Sequence, residues 1–170
     1  MEKIFFLFLV ITISCNQPAK HPEHVRKKIP VEFKLNKSDY AILPFDKSWT
    51  WIPKKARPAT LSEAELIEIE KVLEKAVKEN NEKQQGNPQM QIQLEDKKRQ
   101  YIPYINEKGE KLVWINFFCY DPTDNKAGTL ADTVWLTEPV IVFDGGNCYF
   151  SILINLTTRS YSNLSINGYA

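Results

Sequence analysis

Histidine is scarce in this chain, which has only His21 and His24 among its 170 residues. Both lie in a proline-containing N-terminal stretch, so we interpret them as linker residues rather than as a metal clip. The region after residue 30 therefore offers no Cys–His or Ser–His pair for nucleophilic catalysis. It also lacks an HExxH motif and a phosphate-binding glycine loop. We predict no catalytic residue, no bound metal and no cofactor.

Net charge is nearly absent as well. The chain has 22 Lys and Arg residues against 21 Asp and Glu residues, for a formal charge of +1. Nucleic acids are bound through clustered Lys and Arg side chains that neutralise phosphates. We therefore expect no nucleic-acid partner.

Long apolar runs are missing too, since crossing a hydrocarbon core takes about 20 residues. The longest run extends from Ile4 to Ile13 and follows the charged start at residues 1–3. Such a run is typical of the apolar region of a signal peptide, which we place at residues 1–14. The mature protein is expected to be exported.

A cysteine follows the predicted signal. Ser14 supplies the small residue that a lipoprotein peptidase needs before a cysteine, so we predict Cys15 as the lipid attachment site and first mature residue. Two alternatives stay open: Thr12-Ile13-Ser14 also fits ordinary signal peptidase, and the segment could remain as an uncleaved anchor. Residues 15–30 contain three prolines and few large apolar side chains, which predicts a lipidated tether spanning roughly 20 Å.

Residues 31–170 are long enough for a single domain with its own core. Near its start, Trp49 and Trp51 lie two residues apart, so on an extended chain both indoles point the same way. The pair could form a ligand-stacking shelf or clamp an N-terminal arm onto the domain. We favour the clamp, because large aromatic side chains stabilise mostly through buried area.

One amphipathic helix is predicted after this arm. Ser62 and Glu65 form a capping box at its start, and it is expected to end near Asn80 or Asn81. Acidic residues, Glu70 among them, crowd its first half and lysines its second, as the helix dipole favours. We interpret this charged face as solvated. The apolar stripe consists of Leu66, Ile69, Val72, Leu73, Ala76 and Val77.

Beyond the helix the apolar pattern changes to a period of two, which predicts strands. A first hairpin joins residues 99–105 to 111–120 through a turn that ends at Gly109, and a last strand covers 160–167. The sequence therefore predicts an α+β fold, with one helix packed on a four- to five-stranded antiparallel sheet.

A second hairpin is predicted around Gly145-Gly146, a dipeptide that fits a tight turn. It would join residues 140–144 to 147–155 and place Phe143 opposite Cys148. This pairing would put residues 140–144 into the sheet as a strand.

Side-chain alternation assigns one face of the sheet to the helix. That face comprises Val113, Ile115, Phe117, Cys119, Ile141, Phe143, Cys148, Phe150, Ile152, Ile154, Leu164 and Ile166. Cys119 and Cys148 both fall on it near the ends of neighbouring strands. A disulfide between them is one interpretation, and two buried free thiols are the other.

The opposite face mixes aromatic and amide side chains. Its members are Trp114, Asn116, Phe118, Tyr149, Ser151, Leu153, Asn155, Asn163, Ser165 and Asn167. We take Trp114, Asn116, Tyr149, Ser151 and Asn163 as a candidate binding face for a sugar or peptide. The alternative, which we favour, is that the Trp49/Trp51 arm covers this face, because so large a bare patch is unusual on a monomer.

Two stretches near the C-terminus carry a resemblance. They read Val142-Phe143-Asp144-Gly145-Gly146-Asn147-Cys148-Tyr149-Phe150 and Ser165-Ile166-Asn167-Gly168-Tyr169-Ala170. Over residues 99–170 the chain resembles small bacterial lipoproteins that have no assigned activity, and its order of helix and sheet resembles cystatin-like and PepSY-like folds. The likeness implies a cystatin-like roll. It does not imply protease inhibition, because Asn106-Glu107-Lys108-Gly109 stands where inhibitory cystatins have Gln-x-Val-x-Gly.

Two functions follow as hypotheses. The favoured one is a non-catalytic module, held on the membrane of the bacterial cell envelope by its lipid, that binds an envelope protein or glycan. The alternative is a small acid-dependent hydrolase of the envelope, since two carboxylates suffice for glycoside hydrolysis. Its candidate acids are Asp121, Asp124, Asp132 and Asp144, and no pattern singles out a pair of them. The acidic loop at 121–125 matches no known calcium loop, so we interpret it as a solvated connection.

Overall fold

The computed structural model of the chain describes residues 36–95, 97–120 and 133–169, which form one helix and a six-stranded sheet. The helix is α1 (Glu63–Lys83). The strands are β1 (Tyr40–Ile42), β2 (Arg57–Pro58), β3 (Lys97–Ile105), β4 (Lys111–Cys119), β5 (Phe150–Asn155) and β6 (Ser160–Ile166). The α+β class is confirmed.

The sheet is mixed and larger than predicted. Its order is β1-β3-β4-β5-β6, and β2 pairs with the far end of β3. β1 runs parallel to β3, with Tyr40 opposite Arg99, whereas the other pairs are antiparallel. The prediction of four or five antiparallel strands missed the two short strands of the N-terminal arm. They pair with backbone groups along the outer edge of β3, which would otherwise be left unpaired.

The predicted second hairpin is wrong. β5 pairs with β4, with Phe117 opposite Phe150, and residues 140–144 form no strand. Gly145 and Gly146 instead lead into a short 3-10 turn, Gly146–Cys148. The Gly145-Gly146 dipeptide predicts only a local turn. It cannot show that β5 pairs with β4, which is a longer apolar strand than residues 140–144 would have formed. Phe143, expected in the core, is 91% exposed.

Gly146 is required at the start of that turn. Its φ is +59°, and a Cβ atom there would lie 1.9 Å from the ring of Tyr169. Only glycine accommodates both the left-handed backbone and the close approach of the aromatic ring.

Helix α1 begins as predicted and ends slightly later. The Ser62–Glu65 capping box is present, and the apolar stripe packs on the sheet. The helix continues to Lys83, past the predicted end near Asn80 or Asn81. Asn81 remains helical, and its side chain exchanges two 2.8 Å hydrogen bonds with the backbone of Ile92, which fixes the segment leading into β3.

Glu70 departs from the prediction of a fully solvated charged face. It is 3% exposed and lies 2.6 Å from Nη1 of Arg99, while the hydroxyl of Tyr101 donates to its other oxygen at 2.6 Å. Burial, reinforced by the Glu70 charge, raises the pKa of Tyr101 well above its ordinary value. Burial alone would lower the pKa of Arg99, but the charges and hydrogen bonds of Glu70 and Tyr101 together outweigh it, and the net shift is upward. The Tyr101 hydroxyl therefore keeps its proton and the Arg99 guanidinium keeps its charge, as their contacts with Glu70 require.

Both faces of the sheet are covered. The helix side buries Leu66, Ile69, Val72, Leu73, Ala76, Ile92, Leu94, Tyr101, Val113, Ile115, Phe117, Phe150, Ile152 and Ile154. The other side, which we call the second face, buries Ala41, Leu43, Ile52, Ala56, Ile102, Tyr104, Leu112, Phe118, Trp135 and Val140. The parity prediction for β4 and β5 is therefore confirmed, and β3 and β4 are buried on both sides.

The predicted disulfide is present between Cys119 and Cys148. It joins the end of β4 to the 3-10 turn before β5, next to the stacked rings of Phe117 and Phe150, whose centroids are 4.2 Å apart. The bond holds the turn that leads directly into Tyr149.

Replacing Glu70 tests the buried ion pair. Glu70→Gln keeps the size of the side chain but leaves the Arg99 charge buried without its partner, so we expect the free energy of unfolding to fall by about 3–5 kcal/mol. Chemical denaturation followed by circular dichroism measures the change. Glu74→Gln, at an exposed position of the same helix, is the matched control and should shift the midpoint little. Equal effects of the two variants would contradict the assignment.

Reducing the disulfide tests its contribution. The bond spans 29 residues, so its loss should lower the free energy of unfolding by roughly 3–4 kcal/mol in the chain-entropy description. We expect no free thiol at Cys119 or Cys148 when thiols are counted under denaturing, non-reducing conditions. Reaction of both cysteines with the thiol reagent would disprove the bond.

Candidate functional site

A cavity of about 250 Å³ opens on the second face of the sheet. Its lining residues are Trp51, Trp114, Asn116, Val140, Ile141, Val142, Tyr149, Phe150, Ser151 and Asn167. None of them is charged. Four of the five predicted binding-face residues meet here, namely Trp114, Asn116, Tyr149 and Ser151.

Asn163, the fifth predicted residue, does not line the cavity. It lies in β6 where the register with β5 shifts between Ser151 and Leu153, and its φ is +52°. The irregularity adds a residue to β6, which a count of alternating positions cannot detect. Asn163 is exposed away from the other four residues.

An aromatic wall forms one side of the cavity. Trp49 and Trp51 stack with ring centroids 5.7 Å apart and planes 11° apart, and Trp51 lies 5.7 Å from Trp114 at 35°. The N-terminal arm therefore does cover part of the second face, as favoured from the sequence. Trp51 nevertheless stays 39% exposed, so the same indole that packs on Trp114 also presents a free surface.

A second wall is the segment before the disulfide turn, which two buried carboxamides fix to the sheet. Gln100 donates from Nε2 to the carbonyls of Trp135 at 2.5 Å and Glu138 at 2.7 Å, and its oxygen accepts from the Val140 N–H at 2.9 Å. Asn116 donates to the Val140 carbonyl at 2.6 Å and to the Gln100 oxygen at 3.2 Å. These side chains replace the backbone pairing that a strand would have made.

The sequence interpretation missed Gln100. Gln100 lies between Arg99 and Tyr101 in a strand that is buried on both faces. The alternation of apolar and polar residues was interpreted for a sheet with one covered face, and that interpretation does not reveal that Gln100 is buried. Gln100 is 0% exposed, and a buried amide needs hydrogen-bond partners. The partners come from residues 35 to 40 positions away.

The third wall is fixed from the C-terminus. Asn167 donates to the carbonyls of Val142 at 2.5 Å and Asp144 at 3.1 Å. This contact holds the rim of the cavity above Tyr149 and Ser151, which lie at the start of β5. Asn167 was assigned to this face from the sequence, but its role at the rim was not foreseen.

Several polar atoms of the lining make no hydrogen bond with the part of the chain that the structure describes. They are the carboxamide oxygen of Asn116, the hydroxyls of Tyr149 and Ser151, and the indole N–H groups of Trp51 and Trp114. A concave, mostly apolar surface with a few polar groups is the usual character of a ligand site. The arrangement can stack on a ligand and exchange neutral hydrogen bonds with it.

Of the four candidate acids, only Asp144 belongs to the described residues, and it does not line the cavity. Asp144 is exposed, and its backbone carbonyl rather than its carboxylate is held at the rim. Asp121, Asp124 and Asp132 lie outside the described residues, as do Cys15, both histidines and the predicted signal and tether. Within residues 36–95, 97–120 and 133–169, no three His, Cys, Asp or Glu side chains lie close enough to hold a metal ion.

Among the same described ranges, no helix has the length and apolar character needed to cross a membrane. Comparisons of the chain with protein-family models, with curated proteins and with solved structures find no match.

Proposed function

We propose that this protein is a non-catalytic binding module, tethered to a membrane of the bacterial cell envelope, that takes a protein or glycan ligand in the cavity of the second face. The observation that carries the proposal is the cavity itself. It combines a stacked aromatic wall with neutral polar groups that have no partner among the described residues, and none of its described lining residues is charged. Such a site favours binding by contact over chemistry that needs a proton donor and acceptor.

The tether is proposed from the sequence. The apolar run ending before Ser14-Cys15 supports export and lipidation at Cys15, and residues 15–30 would connect the lipid to the domain. A lipid anchor joined to the domain by a flexible segment keeps the domain near the membrane surface while leaving its binding face free to turn outward.

The resemblance to small bacterial lipoproteins with a cystatin-like or PepSY-like roll belongs to the same proposal. The antiparallel order of β3 to β6 against one helix supports it. The parallel strand β1 is a departure from the simple roll, and it belongs to the arm that supplies Trp49 and Trp51.

Removing the lipidated cysteine tests the tether. Cys15→Ala should release the protein from the membrane fraction or leave the signal uncleaved, because the peptidase and the lipid both require the thiol. Fractionation and mass measurement of the N-terminus give the result. A variant that is processed and fractionates like the unaltered protein would contradict lipidation.

Site-directed photo-crosslinking tests the cavity. A photo-reactive amino acid at Ile141, which lines the cavity and is 53% exposed, should give a defined adduct in intact envelopes. The matched control is Ile67, which is 52% exposed on helix α1 and should give none. Adducts should diminish with Tyr149→Ala or Trp114→Ala, provided circular dichroism shows that these variants fold.

The aspartates separate binding from catalysis. Single changes of Asp121, Asp124, Asp132 or Asp144 to Asn should leave the adduct unchanged, because binding through the stacking surfaces and neutral polar groups of the described lining needs no carboxylate. If the protein turns over an envelope substrate and one such change abolishes that turnover, the binding-module proposal is wrong and the hydrolase alternative is supported. Equal adducts from positions 141 and 67 would overturn the cavity as the binding site.

A further inference from the structure

We infer that the ligand recognised in the cavity is a neutral sugar ring, such as the end or branch of an uncharged glycan. The inference rests on the proposed binding function and names its ligand class.

The aromatic wall suits a sugar. The π-face of an indole carries negative charge density, and one face of a pyranose ring presents C–H groups that pack against it. Trp51 offers such a surface at the cavity, with Trp49 stacked behind it and Trp114 beside it. The two neighbours fix the plane of Trp51, so little side-chain freedom is lost when a ring stacks on it.

The described lining favours a neutral ligand. No Asp, Glu, Lys or Arg side chain is among the ten lining residues that belong to the described part of the chain. A charged group that enters such a site loses water without gaining a partner of opposite charge, which is costly. Uronic acids, sialic acids and phosphorylated sugars are therefore disfavoured.

The unused polar atoms match the chemistry of hydroxyl groups. A sugar hydroxyl both donates and accepts a hydrogen bond. The Asn116 oxygen is an acceptor, the indole N–H groups are donors, and the hydroxyls of Tyr149 and Ser151 can do either. The cavity, at about 250 Å³, lies just below the range of about 300–1,000 Å³ typical of small-molecule sites, which favours a single ring over a long chain.

A peptide fits less well. Peptides that add to a sheet need an unpaired strand edge. Strand β5 below the cavity is paired on both sides, with β4 and β6. At the rim, the carbonyls of Val140, Val142 and Asp144 already accept side-chain hydrogen bonds. These three rim carbonyls are thus occupied, whereas the side-chain atoms named in the previous paragraph have no partner among the described residues.

The test is a titration of the full-length protein in a detergent without a sugar headgroup. The neutral probes are N,N′-diacetylchitobiose, maltose and methyl β-galactoside, and the charged probes are glucuronic acid and glucose 6-phosphate. Calorimetry and tryptophan fluorescence report binding. We expect saturable binding of at least one neutral probe, with charged probes about tenfold weaker or absent.

Variants locate the binding. Trp51→Ala should weaken it about tenfold or more, because the stacking surface is lost, and Trp51→Phe should restore part of it. Ser151→Ala removes only a hydroxyl and should weaken binding severalfold. It provides the test of the cavity if Trp51→Ala does not fold. Phe143→Ala is the control: it removes a 91% exposed aromatic outside the lining and should leave binding unchanged.

The other outcomes overturn the inference in distinguishable ways. Should no neutral sugar bind while a neutral pentapeptide containing phenylalanine and leucine binds in a Trp51-dependent manner, the sugar class is wrong and the binding module stands. Trp51-dependent self-association in sedimentation would make a second copy of the chain the occupant. Absence of all binding, together with equal photo-adducts from positions 141 and 67, would remove both the ligand class and the proposed function.

Discussion

The buried ion pair between Glu70 and Arg99 is the contact on which the rest of the structure depends. A charge inside a protein is tolerated only with a partner, so helix α1 must lie with Glu70 against β3, and that requirement fixes which way the helix is rotated on the sheet. The Tyr101 hydroxyl completes the carboxylate's hydrogen bonds and keeps its own proton, because burial and the neighbouring charge raise its pKa. The helix then covers one face of the sheet and leaves the apolar side chains of the other face, including Ile102 and Phe118, in need of a second cover.

Two separate pieces of chain supply that cover. The N-terminal arm brings Trp49 and Trp51, and the segment before the disulfide turn brings Trp135 and Val140. Neither piece lies on the second face as a regular strand. Side-chain amides from β3 and β4 hold the segment in place, and the cavity is the space between the two covers. The cavity is therefore a consequence of how the second face is covered, which explains why its described lining comes from five separate stretches of the chain.

This origin accounts for the chemistry of the cavity. The described residues that close the second face at the cavity are aromatic or aliphatic, and the side chains that hold them are amides, so the described lining contains no charged group. The side-chain amides of Asn116 and Asn167 donate their N–H groups to the rim, and the Asn116 oxygen has no partner among the described residues, so it can accept from a ligand. The disulfide between Cys119 and Cys148 holds the turn before Tyr149 from the opposite face. A site of fixed walls and neutral polar groups fits the proposed role in recognition.

Local patterns in the sequence determined the capping box at Ser62, the apolar stripe of helix α1 and the faces of β4 and β5, because each depends on spacing along one or two elements. They placed Cys119 and Cys148 on one face but left a disulfide and two free thiols as alternatives, and the structure decided for the disulfide. Of the five binding-face residues predicted from the sequence, four line the cavity. Only the tertiary structure decided the parallel pairing of β1, the burial of Glu70 and Gln100 and the displacement of Asn163. It also turned residues 140–144 into a cover rather than a strand. Those outcomes depend on which distant segments pack on the same edge or face of the sheet. Burial of apolar surface and hydrogen bonding over the whole domain decide between the segments, and the order of neighbouring residues does not.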